Sequence, residues 1–467
     1  MTTDKLMVSV SGVRGRVGAG LTPEVITGFA AGFGAWAAGR VTDTGARTGG
    51  RAAVVVGRDS RVSGPMFHRA AIAGLQSVGC DVIDVGVVPT PTVQLAVEFH
   101  HAAGGLAITA SHNPIDWNAL KFIAPSGLFL SADEGASMRD ATSRGVVHAT
   151  WDRLGEVRND PDAVARHLDA ILALPYLDVE AIRRRRLHVA LDCVRGAGSI
   201  IMLAVLERLG CRVSAINLEA DGRFPHPPEP IAANLGDLEA LVRGTSADVG
   251  FAVDPDVDRL ALIDEQGRAI GEDYTLALAA SVVLRRRPGP VVTNLSTSRI
   301  VDDIANEVGV PVIRAPVGEV NVALRMRAEG SPVGGEGNGG VIVAELHLGR
   351  DAPAGAALIL QLLTDAGGAT LSAITGRWPR YAIVKDKLDR PSGSLDRIYD
   401  TLRSAFPGAG VDLQDGLRLT WPDSWLHVRP SGTEPIVRVI AEAPTEARAR
   451  ELVAQARAPL DAMQSVR

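Results

Sequence analysis

Apolar runs of strand length alternate with segments of helix length along most of this chain, and the alternation starts afresh three times. Few architectures accommodate that rhythm, because strands joined through helices build layered α/β sheets that are largely parallel. Residues 7–15 open with alternation around a glycine-bounded Arg14. A strand is then expected over 51–56, a helix behind an N-cap at Ser63 through Leu75, a strand over 80–88 and another helix from 89–92. Around 150–164 the pattern lapses into polar, helix-like sequence, which sets a first boundary. The second block carries strands over 187–192, 212–217 and 248–253 with a helix over 199–209. After a strand over 260–264 the rhythm restarts, with helices over 275–284 and 297–308 and strands over 290–294 and 311–314. From Arg377 the grammar changes: a strand over 383–388, a helix over 394–406, strands near Leu417, Leu426 and Ile436, and a last helix from Thr445. At about 100–200 residues per domain, a chain of 467 residues holds three or four domains. The expected division is 1–152, 153–260 and 261–372 for three similar α/β domains and 373–467 for an α+β domain.

Hydrophobic residues make up 46% of the chain but aromatic ones only 4%, so its cores must be built from Ala, Val, Leu and Ile. A net charge of −6 argues against a nucleic-acid binder, which normally shows a basic domain or stripe. The run Arg183 to Arg186 reads as a solvated helix end. Cys80, Cys193 and Cys211 lie in or beside apolar runs without metal spacing, which fits buried reduced thiols in the cytosol. The N-terminus lacks the features of a signal peptide. No apolar run reaches the ~18 residues a spanning helix needs, so a cytoplasmic protein without a membrane partner is expected.

Four segments carry chemistry. Ile108-Thr-Ala-Ser-His-Asn-Pro114 delivers Ser111 from a strand over 105–109 into a turn, because proline fixes its own φ and biases Asn113 away from helix. A serine so placed, followed by His112, either caps a backbone N–H in a surface loop or carries a covalent group. Asp254-Pro-Asp-Val-Asp-Arg259 spaces three carboxylates at i, i+2 and i+4, which on an extended chain share one side. Three converging oxygens suit Mg²⁺; a solvated acidic turn is the plainer alternative. The apolar strand before this run places it at a strand's carboxyl end, where α/β sheets bind ligands. Gly335-Glu-Gly-Asn-Gly-Gly340 satisfies GxGxxG, but strand-like sequence follows instead of a helix, which excludes a dinucleotide loop. A hairpin turn remains, or a loop whose Glu336 carboxylate and Asn338 amide bond vicinal hydroxyls. Arg429-Pro-Ser-Gly-Thr-Glu-Pro435 combines a guanidinium, two hydroxyls and a close-approach glycine, the makings of a dianion site.

In this order the four segments resemble the signatures of the α-D-phosphohexomutases, the superfamily of phosphoglucomutase, phosphomannomutase and phosphoglucosamine mutase. TASHNP, continued by Asn118-Ala-Leu-Lys-Phe122, is similar to the phosphoserine loop, and DPDVDR to the metal loop DGDADR. Pro255 there replaces the usual Gly, which is tolerated where φ is already near −65°. GEGNGG is similar to the sugar loop GExSGH, with Asn338 in the place of Ser and Gly340 in the place of His. RPSGTEP is similar to the phosphate loop of the last domain. Shorter matches lie at 11–15, 56–59, 221–225 and 315–318. The GEGNGG form and Gly349-Arg-Asp351 point toward archaeal-type phosphoglucosamine mutases.

The resemblance implies four domains around a central cleft. It implies an enzyme that interconverts hexose 6-phosphate and hexose 1-phosphate through a phosphorylated Ser111 and a hexose 1,6-bisphosphate. Mg²⁺ would sit on Asp254, Asp256 and Asp258 with Ser111. His112, Lys121 and Arg14 are the implied catalytic companions, Lys121 serving as base only if neighbouring cations depress its pKa. Arg259, Glu336, Asn338, Arg429, Ser431, Gly432, Thr433 and Arg438 would hold the sugar phosphate, and the last domain would hinge to release it. With Gly340 present, the sugar contact or proton transfer made by His in relatives has no counterpart at that position. Phosphoglucosamine mutase is the first reading; phosphomannomutase or phosphoglucomutase is the runner-up. A metal-dependent phosphatase needs neither a sugar loop nor a second phosphate clamp. A non-catalytic sugar-phosphate binder would not need Ser111 and all three Asp intact. Monomer and homodimer both remain open.

Overall fold

The computed structural model describes residues 6–9, 12–40, 47–48, 50–390, 394–431 and 436–464. The threefold rhythm is one topology used three times. In the first sheet Arg51–Arg58 lies between Asp81–Val87 and Gly104–Ile108, parallel to both, and Trp117–Ile123 then pairs antiparallel with Gly104–Ile108. In the second, His188–Asp192 lies between Arg212–Ile216 and Val249–Val253, and Leu260–Ile263 closes the edge antiparallel. In the third, Val291–Asn294 lies between Val312–Ala315 and Val333–Glu336, with Gly340–Val343 antiparallel at the edge. Helical crossovers connect the parallel strands each time: Gly64–Ser77 and Thr90–Phe99, Gly198–Arg208 and Gly236–Thr245, Ile300–Val308 and Glu319–Glu329. The fourth unit is an antiparallel sheet in the order Ala382–Asp389, Ile436–Ala443, Trp425–Pro430, Leu417–Thr420, Gly410–Asp412, with Glu446–Gln464 packed on it.

This repetition positions the chemistry. The turn joining the last two strands of each α/β unit is one of the segments singled out above: 109–116, 254–259 and 337–339. The fourth segment starts inside the strand Trp425–Pro430, at Arg429, and leaves it at Ser431. Residues 432–435, and with them Gly432 and Thr433, lie outside the described residues.

Several expectations need revision. The helix-like stretch around 150–164 holds a short strand, Val157–Asn159, that pairs with Asp81–Val87 and so extends the first sheet beyond residue 152. A division at 260 falls within the strand that closes the second sheet, because the acidic turn is the bend of a hairpin. The helix Pro23–Arg40 carries no period that marks it in the sequence, since apolar and small residues surround it and face the core on most sides. It crosses Gly64–Ser77 closely enough that a Cβ at Gly74 would lie 2.5 Å from the Thr27 carbonyl oxygen. Ser63 stands at the N-cap without capping; its hydroxyl accepts from Asn118 Nδ2 at 2.9 Å.

Arg183 to Arg186 form the exposed end of the helix Val179–Arg185. All three cysteines are free, and burial pushes the Cys80 and Cys211 thiols up to about 12. Among the described residues, no helix is long and apolar enough to cross a membrane.

Candidate functional site

Ser111 is buried and sits in the left-handed region, with φ 49°. That conformation is unfavourable for a residue with a Cβ, and the surroundings hold it there. The Ser111 N–H donates to Thr109 Oγ1 at 2.9 Å. Arg61, wholly buried, donates through Nη2 to the carbonyls of Ser111 and Asn113, both at 2.6 Å, and through Nη1 to those of Pro114 and Trp117 at 2.7 and 3.0 Å. Its Nε bonds Asp59 Oδ2 at 3.1 Å, so all five guanidinium N–H groups are engaged. Thr109 Oγ1 also donates to Asp59, at 2.7 Å. Asp59 falls in the short match at 56–59 and Arg61 just beyond it, and neither was given a role; a charged pair at the end of an otherwise apolar strand was the available signal.

The acidic turn is not extended. Val257 takes φ 62°, and the N–H groups of Asp258 and Arg259 both donate to Asp254 Oδ1, at 3.1 and 3.2 Å. Curling, rather than strand alternation, brings Asp254, Asp256 and Asp258 together: one carboxylate oxygen from each lies within 4.8 Å of the others. A β-branched residue at positive φ is strained, and this one stands beside the reactive groups. Ser111 Oγ donates to Asp254 Oδ2 at 2.9 Å across 143 residues of sequence. Asp256 Oδ2 accepts from Lys121 Nζ and Thr90 Oγ1, each at 2.7 Å. Burial pushes the Asp254 carboxyl well up, and Asp258 and Asp256 add to that. Burial acts in the same direction on Asp256, but Lys121 together with hydrogen bonds from Asp254 and Thr90 outweighs it and holds that carboxyl far down. Asp256 Oδ1 and Asp258 Oδ1 are buried without a hydrogen bond among the described residues. Three buried carboxylates, two of them with an unsatisfied oxygen, are costly unless a cation joins them, and hard oxygen donors fit a divalent ion such as Mg²⁺.

His112 Nδ1 lies 3.2 Å from Ser111 Oγ. Burial first, then Arg259 and Arg14, keep its imidazole well below the ordinary range and hence neutral. Arg14 Nη1 donates to Asn113 Oδ1 at 2.6 Å. The group that Lys121 touches is an anion, whereas a base role asks for cations beside it.

Glu336 ends the strand Val333–Glu336 and is almost wholly buried. Its Oε1 accepts from Asn294 Nδ2 at 2.8 Å and the Gly318 N–H at 3.0 Å, and its Oε2 from Arg350 Nη1 at 2.8 Å. Burial opposes ionisation, yet Arg350 and these donors hold the carboxyl below its usual range. Asn338 Oδ1 accepts from the Gly340 N–H at 3.2 Å. A cavity of about 350 Å³ brings Arg14, Ser111, His112, Lys121, Arg259, Glu336 and Asn338 together. A second, of about 450 Å³, shares His112, Arg259, Glu336 and Asn338 with it and adds Arg429, Ser431 and Arg438 of the fourth unit. The two form one cleft from the serine to the last sheet. Arg429 Nε donates to Asp415 Oδ2 at 2.7 Å. Thr90, Asn294, Glu319 and Arg350 escaped sequence reasoning as site residues, because their partners are remote in the chain.

Family models match the chain in four successive stretches. They are phosphoglucomutase/phosphomannomutase alpha/beta/alpha domain I over residues 5–145, domain II over 165–267, domain III over 271–381, and the C-terminal domain over 398–458. A Methanopyrus kandleri protein named probable phosphoglucosamine mutase is 38% identical over 448 residues, 95% of each chain. A Thermococcus kodakarensis protein named phosphoglucomutase/phosphomannomutase is 39% identical over 445 residues, 94% of this chain and 95% of its own. The crystal structure of a phosphoglucomutase/phosphomannomutase family protein from Burkholderia thailandensis superposes with a TM-score of 0.83 at 27% identity, covering 98% of this chain and 97% of that one.

Proposed function

The chain belongs to the phosphoglucomutase/phosphomannomutase family, and from that premise we propose that it interconverts hexose 6-phosphate and hexose 1-phosphate, with glucosamine phosphate as the preferred substrate. One observation carries the reading: Ser111 Oγ lies 2.9 Å from Asp254 Oδ2, inside a cleft that also holds a sugar-recognition carboxylate and a cluster of arginines. Ser111 is the phosphoryl carrier. The bond from its Oγ to phosphorus breaks as phosphorus bonds to a free sugar hydroxyl, and the hydroxyl proton ends on Oγ. The resulting hexose 1,6-bisphosphate returns its other phosphate to Ser111, and the Oγ proton goes to the sugar oxygen that this phosphate leaves.

His112, beside Oγ, handles that proton. Asp254, Asp256 and Asp258 with Ser111 would hold Mg²⁺, which when bound neutralises charge on the transferring phosphoryl group. Lys121 fixes Asp256 and, with Arg14, places positive charge on the wall of the cavity; Arg259 does so from the acidic turn. Glu336 and Asn338 read the sugar hydroxyls. Arg429, Ser431, Gly432, Thr433 and Arg438 grip the phosphate that is not reacting, and so contribute binding energy remote from the reacting oxygen. Burial of the serine excludes water and limits hydrolysis of the phosphoserine.

The Thermococcus relative's name supports a second reading, in which glucose or mannose phosphates are preferred. A coupled assay of the phosphorylated protein with Mg²⁺ and trace hexose 1,6-bisphosphate separates the two. Higher kcat/KM for glucosamine 6-phosphate than for glucose 1-phosphate and mannose 1-phosphate is the expected result. Equal or better turnover of the neutral sugars would leave a general phosphohexomutase. Release of inorganic phosphate without isomerised sugar would overturn the mutase reading.

A further inference from the structure

Gly340 occupies the position at which the resembling sugar loops carry histidine, and its surroundings explain the exchange. Its φ lies outside the left-handed region, so the backbone does not require glycine. Space does: a Cβ there would lie 2.2 Å from Arg350 Cδ and 2.9 Å from Arg350 Cγ. Those are stem atoms of a side chain whose far end is fixed. Arg350 Nε donates to Glu319 Oε2 at 3.0 Å, Nη1 to Glu336 Oε2 at 2.8 Å and Nη2 to Asp258 Oδ2 at 2.6 Å. The guanidinium is buried with all three carboxylates, so it cannot swing aside without stranding anions away from water. Three of its five N–H groups are used in this way, and the side chain borders the cavity next to Ser111.

We propose that Arg350 is the positioning residue that joins the acidic turn to the sugar loop, in the volume that Gly340 leaves open. It takes up the charge of Asp258 on one side and fixes the Glu336 carboxylate on the other, so both loops depend on a single cation. The proposal deepens the mutase reading and rests on it for the meaning of Glu336, but its test does not need turnover.

The test is a double-substitution cycle on the full-length, unphosphorylated chain: Gly340→Ala, Arg350→Lys, and the two combined. The probes are glucose 6-phosphate, followed by calorimetry, and Mg²⁺, followed by the concentration that gives half of its thermal-stability shift. Lys keeps the charge but reaches fewer carboxylates, so both single variants should fold. Each should weaken both quantities on the order of tenfold, the loss of about one charged hydrogen bond. Because Gly340→Ala acts chiefly by displacing Arg350, its Cβ asking only a few tenths of an ångström of Asn338 Oδ1 at 3.1 Å, the combined variant should be no weaker than Arg350→Lys alone. Multiplying effects would overturn the proposal, as would variants that lower the melting temperature and leave both affinities unchanged, which marks a purely structural arginine. Absence of mutase turnover in the phosphorylated wild type would instead strike the parent reading and leave this cycle interpretable through Mg²⁺.

Discussion

The junction between the second and third units and the junction between the third and fourth are made of opposite materials. At the first, every residue from Thr275 to Leu284 in one helix and from Ala352 to Leu363 in another is buried. These helices belong to a hydrophobic core that runs continuously from Leu168 to Trp378 and serves both sheets. At the second, the contacts are polar. Ser296 Oγ and His427 Nδ1 are 2.8 Å apart, Glu442 Oε1 accepts from the Arg299 N–H at 2.9 Å, and Asp415 Oδ2 accepts from the Val317 N–H at 3.1 Å. The fourth unit keeps a core of its own. Separating apolar surface is opposed by about 25 cal/mol per Å², whereas a polar contact exchanged for water changes stability by only about 0.5–1.5 kcal/mol. The second and third units should therefore move as one body, and the fourth should hinge. The acidic turn and the Glu336 loop, joined through Arg350, stand on the units that share a core, and Arg429 stands on the fourth.

That contrast can be broken in four ways. Ser111→Ala should lower mutase turnover by at least about a thousandfold, as removal of a nucleophile does, while the melting temperature stays within a few degrees; residual activity above that level would mean that Ser111 does not carry the phosphoryl group. Leu358→Ala, in the shared core, should lower stability by about 2–5 kcal/mol. Hydrogen exchange should then accelerate in the second and third units together, and acceleration in one alone would divide the body.

The third concerns pH at the polar junction. Burial chiefly lowers the His427 imidazole to about 4, so the fold favours its neutral form. Between that value and the ordinary value near 6.5 the unfolded chain binds more protons. Stability of the fourth unit should thus be full above about pH 6.5 and fall by up to about 3 kcal/mol as pH drops to 4. His427→Gln should flatten that profile in urea titrations followed by Trp425 fluorescence, and an unchanged slope would assign it to other groups. The smallest effect expected is from Arg429→Met, which should raise KM for the sugar phosphate about tenfold with kcat nearly unchanged, because a remote clamp supplies uniform binding. A fall in kcat of the same size would place Arg429 with the reacting groups.

Much of the fold was legible because its strands are short, continuous apolar runs whose ends carry the polar turns. The strand Val249–Val253 runs straight into Asp254, and Gly104–Ile108 into Thr109 and Ser111. The helices Pro23–Arg40 and Ala352–Asp365 were missed because small and apolar residues surround them and mark no face, whereas 275–284, equally buried, was legible from its place in the strand–helix rhythm. The curl of the acidic turn was missed because nothing in Asp-Val-Asp announces that Val257 adopts positive φ.

The amino-acid order determined by itself which reactive groups exist, in which turns, and in what succession: the serine, the acidic triplet, the Glu336 loop and the arginine loop all stand within a few residues of their own strand ends. Only the tertiary structure decided what those groups touch. Lys121 meets Asp256 across 135 residues, and Arg350 gathers carboxylates 14, 31 and 92 residues away. A charge's environment depends on which segments pack against it. No local pattern records that the missing side chain at Gly340 leaves room for Arg350 to reach three acids on other segments.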